Sequence, residues 1–159
     1  MNTFKNIIAA MLVLSSAAVP ASALAQSPVS LSGDVMAVET TVDDAGNETT
    51  QLVEPSVIVP GDRLIFGTDY ANDGAEAVEN FVVTNPLPSA VRLAPDADAD
   101  LTVSVDGGAN WGVLSALTVA AEDGSTRAAV HADVTHVRWT LASIAPGESG
   151  RLEYPAIIR

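Results

Sequence analysis

The sequence predicts an all-β fold, an antiparallel Greek-key β-sandwich, for residues 26–159. Apolar residues recur at every second position in short segments, which is the side-chain period of a strand half-buried against a core. Clusters of Gly, Pro, Asn and Asp separate these segments at regular intervals, as turns separate antiparallel strands. No segment of helical length keeps a 3.6-residue period. The sequence therefore predicts one domain built from roughly eight to ten short strands.

A secretory signal peptide, Met1–Ala25, is predicted before this domain. Lys5 supplies a positive charge, Ile7–Leu14 a short apolar run, and Ala23–Ala25 a small-residue cleavage site, so we expect cleavage before Gln26. The apolar run is too short to cross a bilayer unaided, which disfavours the alternative of an uncleaved anchor. We therefore expect an exported protein, either periplasmic or extracellular and at the cell surface.

The composition is strongly acidic, with 20 acidic against seven basic residues and a formal charge of −13. Removal of the signal peptide takes away the single lysine and no acid, which changes the charge to −14. Such a surface repels nucleic acid and anionic lipid, so neither is an expected partner. The chain has no cysteine and therefore no disulfide, so its stability must come from the core. We also expect no cofactor.

The first two strands are predicted before Val59. Ser27–Val42 alternates moderately and forms the first strand, and Asp43–Asn47 is a turn. Gln51–Val59 follows as a strand that Pro55 interrupts, because proline cannot donate to a ladder of hydrogen bonds.

The clearest alternation lies between Val59 and Pro88. Four residues at every second position share one face of a strand: Leu64, Phe66, Thr68 and Tyr70. Asn72–Gly74 then provides residues that tolerate a sharp reversal. Phe81–Thr84 forms the next strand, and Pro86 and Pro88 end it.

The remaining strands are shorter. Ala90–Leu93 is extended and Ala94–Asp100 is a loop; Leu101–Val105 and Val113–Val119 flank a hairpin at Asp106–Trp111; Ala128–Val134 pairs with Thr135–Leu141; Arg151–Ile158 closes the chain. Two sets of residues are predicted to face inward because they share a parity: Val137, Trp139 and Leu141 in one strand, and Leu152, Tyr154, Ala156 and Ile158 in the other.

Several motifs in Val59–Arg159 occur in a recognisable order. They are Pro60–Asp62, Leu64–Asn72, Asn80–Pro88 (N-F-V-V-T-N-P-L-P), Ser104–Gly112 (S-V-D-G-G-A-N-W-G) and Val137–Gly150. This order resembles the conserved repeat of bacterial surface proteins known as domain of unknown function 11. The resemblance implies an Ig-like β-sandwich with a structural or adhesive role. One departure is Asn85, where the family usually has Asp.

The spacing of Ser104, Asp106, Gly108 and Trp111 matches the Asp-box, a hairpin motif of many β proteins. We interpret it as a structural clasp in which the carboxylate accepts backbone N–H groups. Trp111 ends this hairpin, and an exposed tryptophan can stack on sugar rings, so a carbohydrate-binding module is one alternative function.

The three alternating carboxylates of Asp96, Asp98 and Asp100 are weak candidates for a calcium site. Calcium prefers oxygen ligands, but the positions that a calcium-binding loop gives to Gly and to a bidentate Glu hold Leu101 and Gly107 here. A solvated acidic loop is the favoured interpretation.

Catalytic and metal-binding roles are not expected of the remaining polar residues. His131 and His136 would lie on opposite faces of one continuous strand, so they could converge only across a bulge or turn. The segment Gly147–Gly150 lacks one residue of the G-x-S-x-G nucleophile motif. We therefore expect a non-catalytic module that binds a protein partner or itself, with a glycan as a further option. A second alternative is a filament subunit that donates its Ser27–Val42 strand to a neighbour.

Overall fold

The computed structural model describes residues 28–159, and the predicted signal peptide lies outside them. These residues form eleven strands and two short 3-10 helices, Leu114–Ala116 and His131–Asp133. The strands are β1 (Val29–Val42), β2 (Glu48–Val53), β3 (Arg63–Asn72), β4 (Val78–Pro86), β5 (Val91–Leu93), β6 (Thr102–Ser104), β7 (Gly112–Val113), β8 (Thr118–Ala120), β9 (Thr126–Ala128), β10 (His136–Ile144) and β11 (Ser149–Ile158). The prediction of an all-β fold is confirmed.

All strand pairs are antiparallel, and they form three sheets. The larger two have the orders β2-β1-β3-β11-β5 and β4-β10-β6-β7, and the third is the pair β8-β9. No helix among residues 28–159 has the length and apolar character needed to cross a membrane.

The predicted alternation of β3 is confirmed and places this strand at the centre of the five-stranded sheet. Leu64 and Thr68 are buried, and Phe66 packs against the core. Opposite Phe66 on β11 lies Tyr154, and the two rings stack with centroids 5.0 Å apart. Alternate side chains of β3 therefore point at the second sheet, as their parity predicts.

Contacts between the two larger sheets fix their relative position. The Asn85 side chain of β4 donates to the Thr68 hydroxyl of β3 at 2.7 Å. The rings of Trp139 in β10 and Tyr154 in β11 lie 6.2 Å apart. β4 therefore lies opposite β3, and β10 lies opposite β11. Since β1 is the next strand beyond β3, β1 and β2 extend past the edge of the four-stranded sheet.

The predicted strand Ala128–Val134 is wrong, whereas Thr135–Leu141 lies almost entirely within β10. Residues 126–128 pair with β8, and a 3-10 helix follows at His131–Asp133. The physical reason is Asp133, whose carboxylate accepts the N–H of Val130 at 2.8 Å and so favours a turn over a strand. β10 pairs instead with β4 and β6.

The predicted strand Val113–Val119 is likewise interrupted. A 3-10 helix at Leu114–Ala116 separates β7 from β8, and the N–H of Leu117 donates to the carbonyl of Leu114. The predicted strand Gln51–Val59 is right only in part: β2 runs from Glu48 to Val53, which agrees with a break at Pro55, but residues 56–59 form no strand.

Candidate functional site

The Asp-box hairpin joins β6 to β7, and its polar groups bind one another. Asp106 Oδ1 accepts hydrogen bonds from the backbone N–H groups of Ala109 and Asn110 at 3.0 and 2.9 Å. It also accepts the Ser104 hydroxyl at 2.8 Å. Bonds from the backbone and then the side chain of Asn110, followed by that of Ser104, lower the pKa of Asp106 from 3.8 to about 2. The interpretation of this motif as a structural clasp is confirmed.

Trp111 ends the hairpin, and its ring contacts three other residues of the chain. Its Nε1–H donates to the carbonyl of Gly108 at 2.8 Å. The guanidinium of Arg138 lies 3.5 Å from the centre of the ring, and His136 meets the ring in an edge contact at 6.1 Å. A cation over an aromatic face is a favourable contact, so one face that a sugar would use holds Arg138 instead.

Two carboxylates of the acidic loop Ala94–Asp100 accept hydrogen bonds from other groups of the chain. Both oxygens of Asp96 accept from the guanidinium of Arg63 at 2.7 Å, and this hydrogen bonding lowers the pKa of Asp96. Asp98 accepts the backbone N–H of Asp100 at 2.9 Å. No group of three or more His, Asp or Glu side chains within residues 28–159 is placed to hold a metal ion. The solvated acidic loop stays the favoured interpretation and weak calcium binding its alternative, which the melting temperature in millimolar calcium would test.

The polar residues near the two histidines, and those of Gly147–Gly150, form hydrogen bonds within turns. Asp133 holds Arg127 through two hydrogen bonds of 2.7 Å. Nδ1 of His136 lies 3.0 Å from the hydroxyl of Thr135, whereas His131 lies in the 3-10 helix. In the segment Gly147–Gly150, Glu148 accepts the backbone N–H of Ala145 at 2.8 Å. These side chains therefore stabilise the connections around β10.

A charged cluster on the outer face of the five-stranded sheet was not predicted. Arg151 of β11 contacts Asp34 of β1 at 2.6 Å, Asp69 of β3 at 3.0 Å, and its neighbour Glu153. Hydrogen bonds to Asp34, then Glu153 and Asp69, raise the pKa of Arg151. The guanidinium lies over Gly67, where an added Cβ would overlap it. The cluster ties three adjacent strands together on one face.

The buried hydrogen bonds of Asn72 were not predicted either, although Asn72 lies in the predicted turn Asn72–Gly74. Its side chain is fully buried, and Nδ2 donates to the carbonyls of Glu76 and Ile144 at 2.9 and 2.8 Å. Its Oδ1 accepts the N–H of Gly74 at 3.0 Å. This one amide joins the end of β3 to the end of β10.

The side of the sandwich at β1 combines exposed apolar residues with unpaired backbone. Leu31 lies on the inner face of β1, opposite Tyr70, yet half of it is exposed. Only residues 37–42 of β1 pair with β2, so within residues 28–159 the outer edge of Ser30–Met36 has no neighbouring strand. Further exposed apolar residues follow β2: Val57, Ile58 and Val59. Unpaired strand edges beside apolar surface are typical places for another chain to add.

The opposite side contains a separate apolar cleft of about 400 Å³. Its floor consists of Leu93, Leu101 and Val103, which are themselves core residues. Asp98 and His131 are among its polar lining.

Compared with protein-family models, curated proteins and solved structures, the chain matches none of them. The geometry of residues 28–159 defines the class: an all-β, sandwich-like fold of two larger antiparallel sheets, with exposed apolar residues beside the open edge of β1 and an apolar cleft on the opposite side.

Proposed function

We propose that this protein is an exported, non-catalytic Ig-like module with a structural or protein-interaction role in the cell envelope or outside the cell. The observation that carries the proposal lies in β1: Leu31 is half exposed, and the outer edge of Ser30–Met36 beside it pairs with no strand among residues 28–159. The turn contacts of Asp106, Asp133 and Glu148 agree with a structural rather than a catalytic use of these groups. The predicted signal peptide and the resemblance to the surface-protein repeat support export and the Greek-key connection of the strands.

Site-specific photo-cross-linking in the cells that produce the protein tests this role. A photoreactive residue in place of Leu31 should give a discrete cross-linked product, whereas the same residue in place of the exposed Glu122, between β8 and β9, should not. Monomer alone at both positions, or cross-links of equal yield, would contradict the role. The mass of the product separates a foreign partner from a second copy, which is what a filament subunit would capture.

A further inference from the structure

A groove lies where β1 extends past the four-stranded sheet. The inner face of β1 carries Leu31, Gly33 and Val35, opposite Tyr70, Thr68 and Phe66 of β3. Residues 33–35 of β1, residues 66–68 of β3 and residues 85–86 of β4 line a cleft of about 280 Å³ together with Tyr154. In residues 28–159, no strand of the second sheet pairs beyond β4 to cover this face of β1.

The wall of the groove on the second sheet is the free edge of β4. β4 pairs with β10 on one side, and its other side has no partner strand among the described residues. Asn80 has a positive φ of 52°, and Pro86 lacks an N–H, so both interrupt a regular edge. Between them, Phe81–Asn85 offers a short regular stretch of backbone to a neighbouring strand.

The general spacing of strands and sheets defines where a strand added beside β4 would lie. Neighbouring strands lie about 4.8 Å apart, and packed sheets lie about 10 Å apart. Because β4 lies opposite β3, a strand added beside β4 would lie opposite β1. Alternate side chains of the added strand would then cover Leu31 and the accessible part of Val35, which already packs partly against the core, while its backbone would pair with Phe81–Asn85.

The charge of this side selects among possible occupants. Residues 28–86, which contain β1 to β4, hold eleven of the 20 acidic residues and one basic residue, Arg63, which is paired with Asp96. Arg151 of β11 pairs with two of these acids, Asp34 and Asp69, and the four strands still keep a net acidic excess. A second copy of this acidic chain would add like charge, whereas a basic segment would be attracted.

We propose that the groove between β1 and the edge of β4 docks an extended segment of another polypeptide, with alternating apolar residues and flanking Lys or Arg. The segment adds as a fifth strand to the four-stranded sheet. The inference rests on the proposed interaction role and names the surface and the partner chemistry for it.

The test uses two synthetic peptides of alternating valine and threonine, one with lysine and one with glutamate at both ends, titrated into the full mature protein by calorimetry. Gly33→Tyr is the blocking variant: Gly33 faces the groove, its φ is not positive, and an added Cβ would meet only the carbonyl of Gly67 at 3.7 Å. Ser32→Tyr places the same side chain on the opposite face of β1 and is the matched control.

We expect the lysine peptide to bind the wild type, more weakly as salt increases, and to protect the Phe81–Asn85 amides from hydrogen exchange. Gly33→Tyr should weaken binding by about tenfold or more, and Ser32→Tyr should leave it within about twofold. Absence of binding, equal binding of the glutamate peptide, or equal affinity for Gly33→Tyr would overturn the inference. If one of these results is found while the photoreactive residue at Leu31 still gives a discrete cross-linked product, the groove proposal fails and the interaction role remains. If no product forms at Leu31, the interaction role itself fails.

Discussion

Asn72 and Asp106 show how single polar side chains fix the connections of this fold. The turn residues around both could be predicted, because Asn, Asp and Gly favour reversals for local reasons. The contacts inside the Asp-box could be predicted as well, since all of its partners lie within a few residues. The bond from Asn72 to Ile144 could not be predicted, because it spans 72 residues.

Replacing Asn72 with alanine should destabilise the protein by about 2–4 kcal/mol, because two backbone carbonyls lose their buried donor. The free energy of unfolding in urea measures this loss. Asn47 donates to Asp43 in an exposed turn, so Asn47→Ala is the control and should cost clearly less. Equal losses for the two variants would contradict the assigned role of Asn72.

The carboxylate of Asp106 should make the stability depend on pH at the acid end. Its folded pKa of about 2 lies below the ordinary value of 3.8, so the folded state favours the charged form. The contribution is therefore complete above pH 3.8 and is lost as the pH falls towards 2. The melting temperature of the wild type should exceed that of Asp106→Ala near neutral pH, and the difference should shrink across this window. A difference that does not change with pH would contradict the clasp.

At the scale of strands, alternation alone predicts β3 and β11 well, because each of these strands packs one face on the core. It also predicts β1, although Leu31 on the inner face of that strand is half exposed. It fails for Ala128–Val134, where the apolar pattern is similar but Asp133 caps a 3-10 helix and binds Arg127. Local hydrogen bonding by an Asp side chain competes with strand pairing, and here it wins. The apolar pattern does not show which outcome a segment takes.

Tyr154 of β11 connects the two sheets and should make stability fall in alkali. Burial raises its pKa from 10.0 to about 12. The folded state thus keeps the proton more tightly than the unfolded chain, so stability is full below pH 10 and declines as the pH rises from 10 towards 12. The free energy of unfolding across this range measures the slope, which Tyr154→Phe should reduce. An unchanged slope in the variant would contradict the burial of the phenol.

At the scale of the whole molecule, the sequence predicts two layers and an acidic surface but not the offset between the layers. The offset depends on which strands become neighbours. β11 pairs with β3 although the paired residues lie 78 (Ser149 and Ala71) to 94 (Ile157 and Arg63) positions apart in the sequence. No local pattern encodes that choice. The sequence therefore predicts no groove beside β4; it suggests a different contact, in which the Ser27–Val42 strand is donated to a neighbour.

Amide hydrogen exchange of the isolated protein, resolved residue by residue by NMR, tests the open edges of β1 and β4 most directly. We expect slow exchange throughout Leu64–Asn72, which has a strand on both sides. We expect fast exchange at alternate amides of Ser30–Met36 and Phe81–Asn85, because each of these segments has one open edge among the described residues. Uniform protection of both edge segments in the monomer, or fast exchange across Leu64–Asn72, would contradict this strand arrangement.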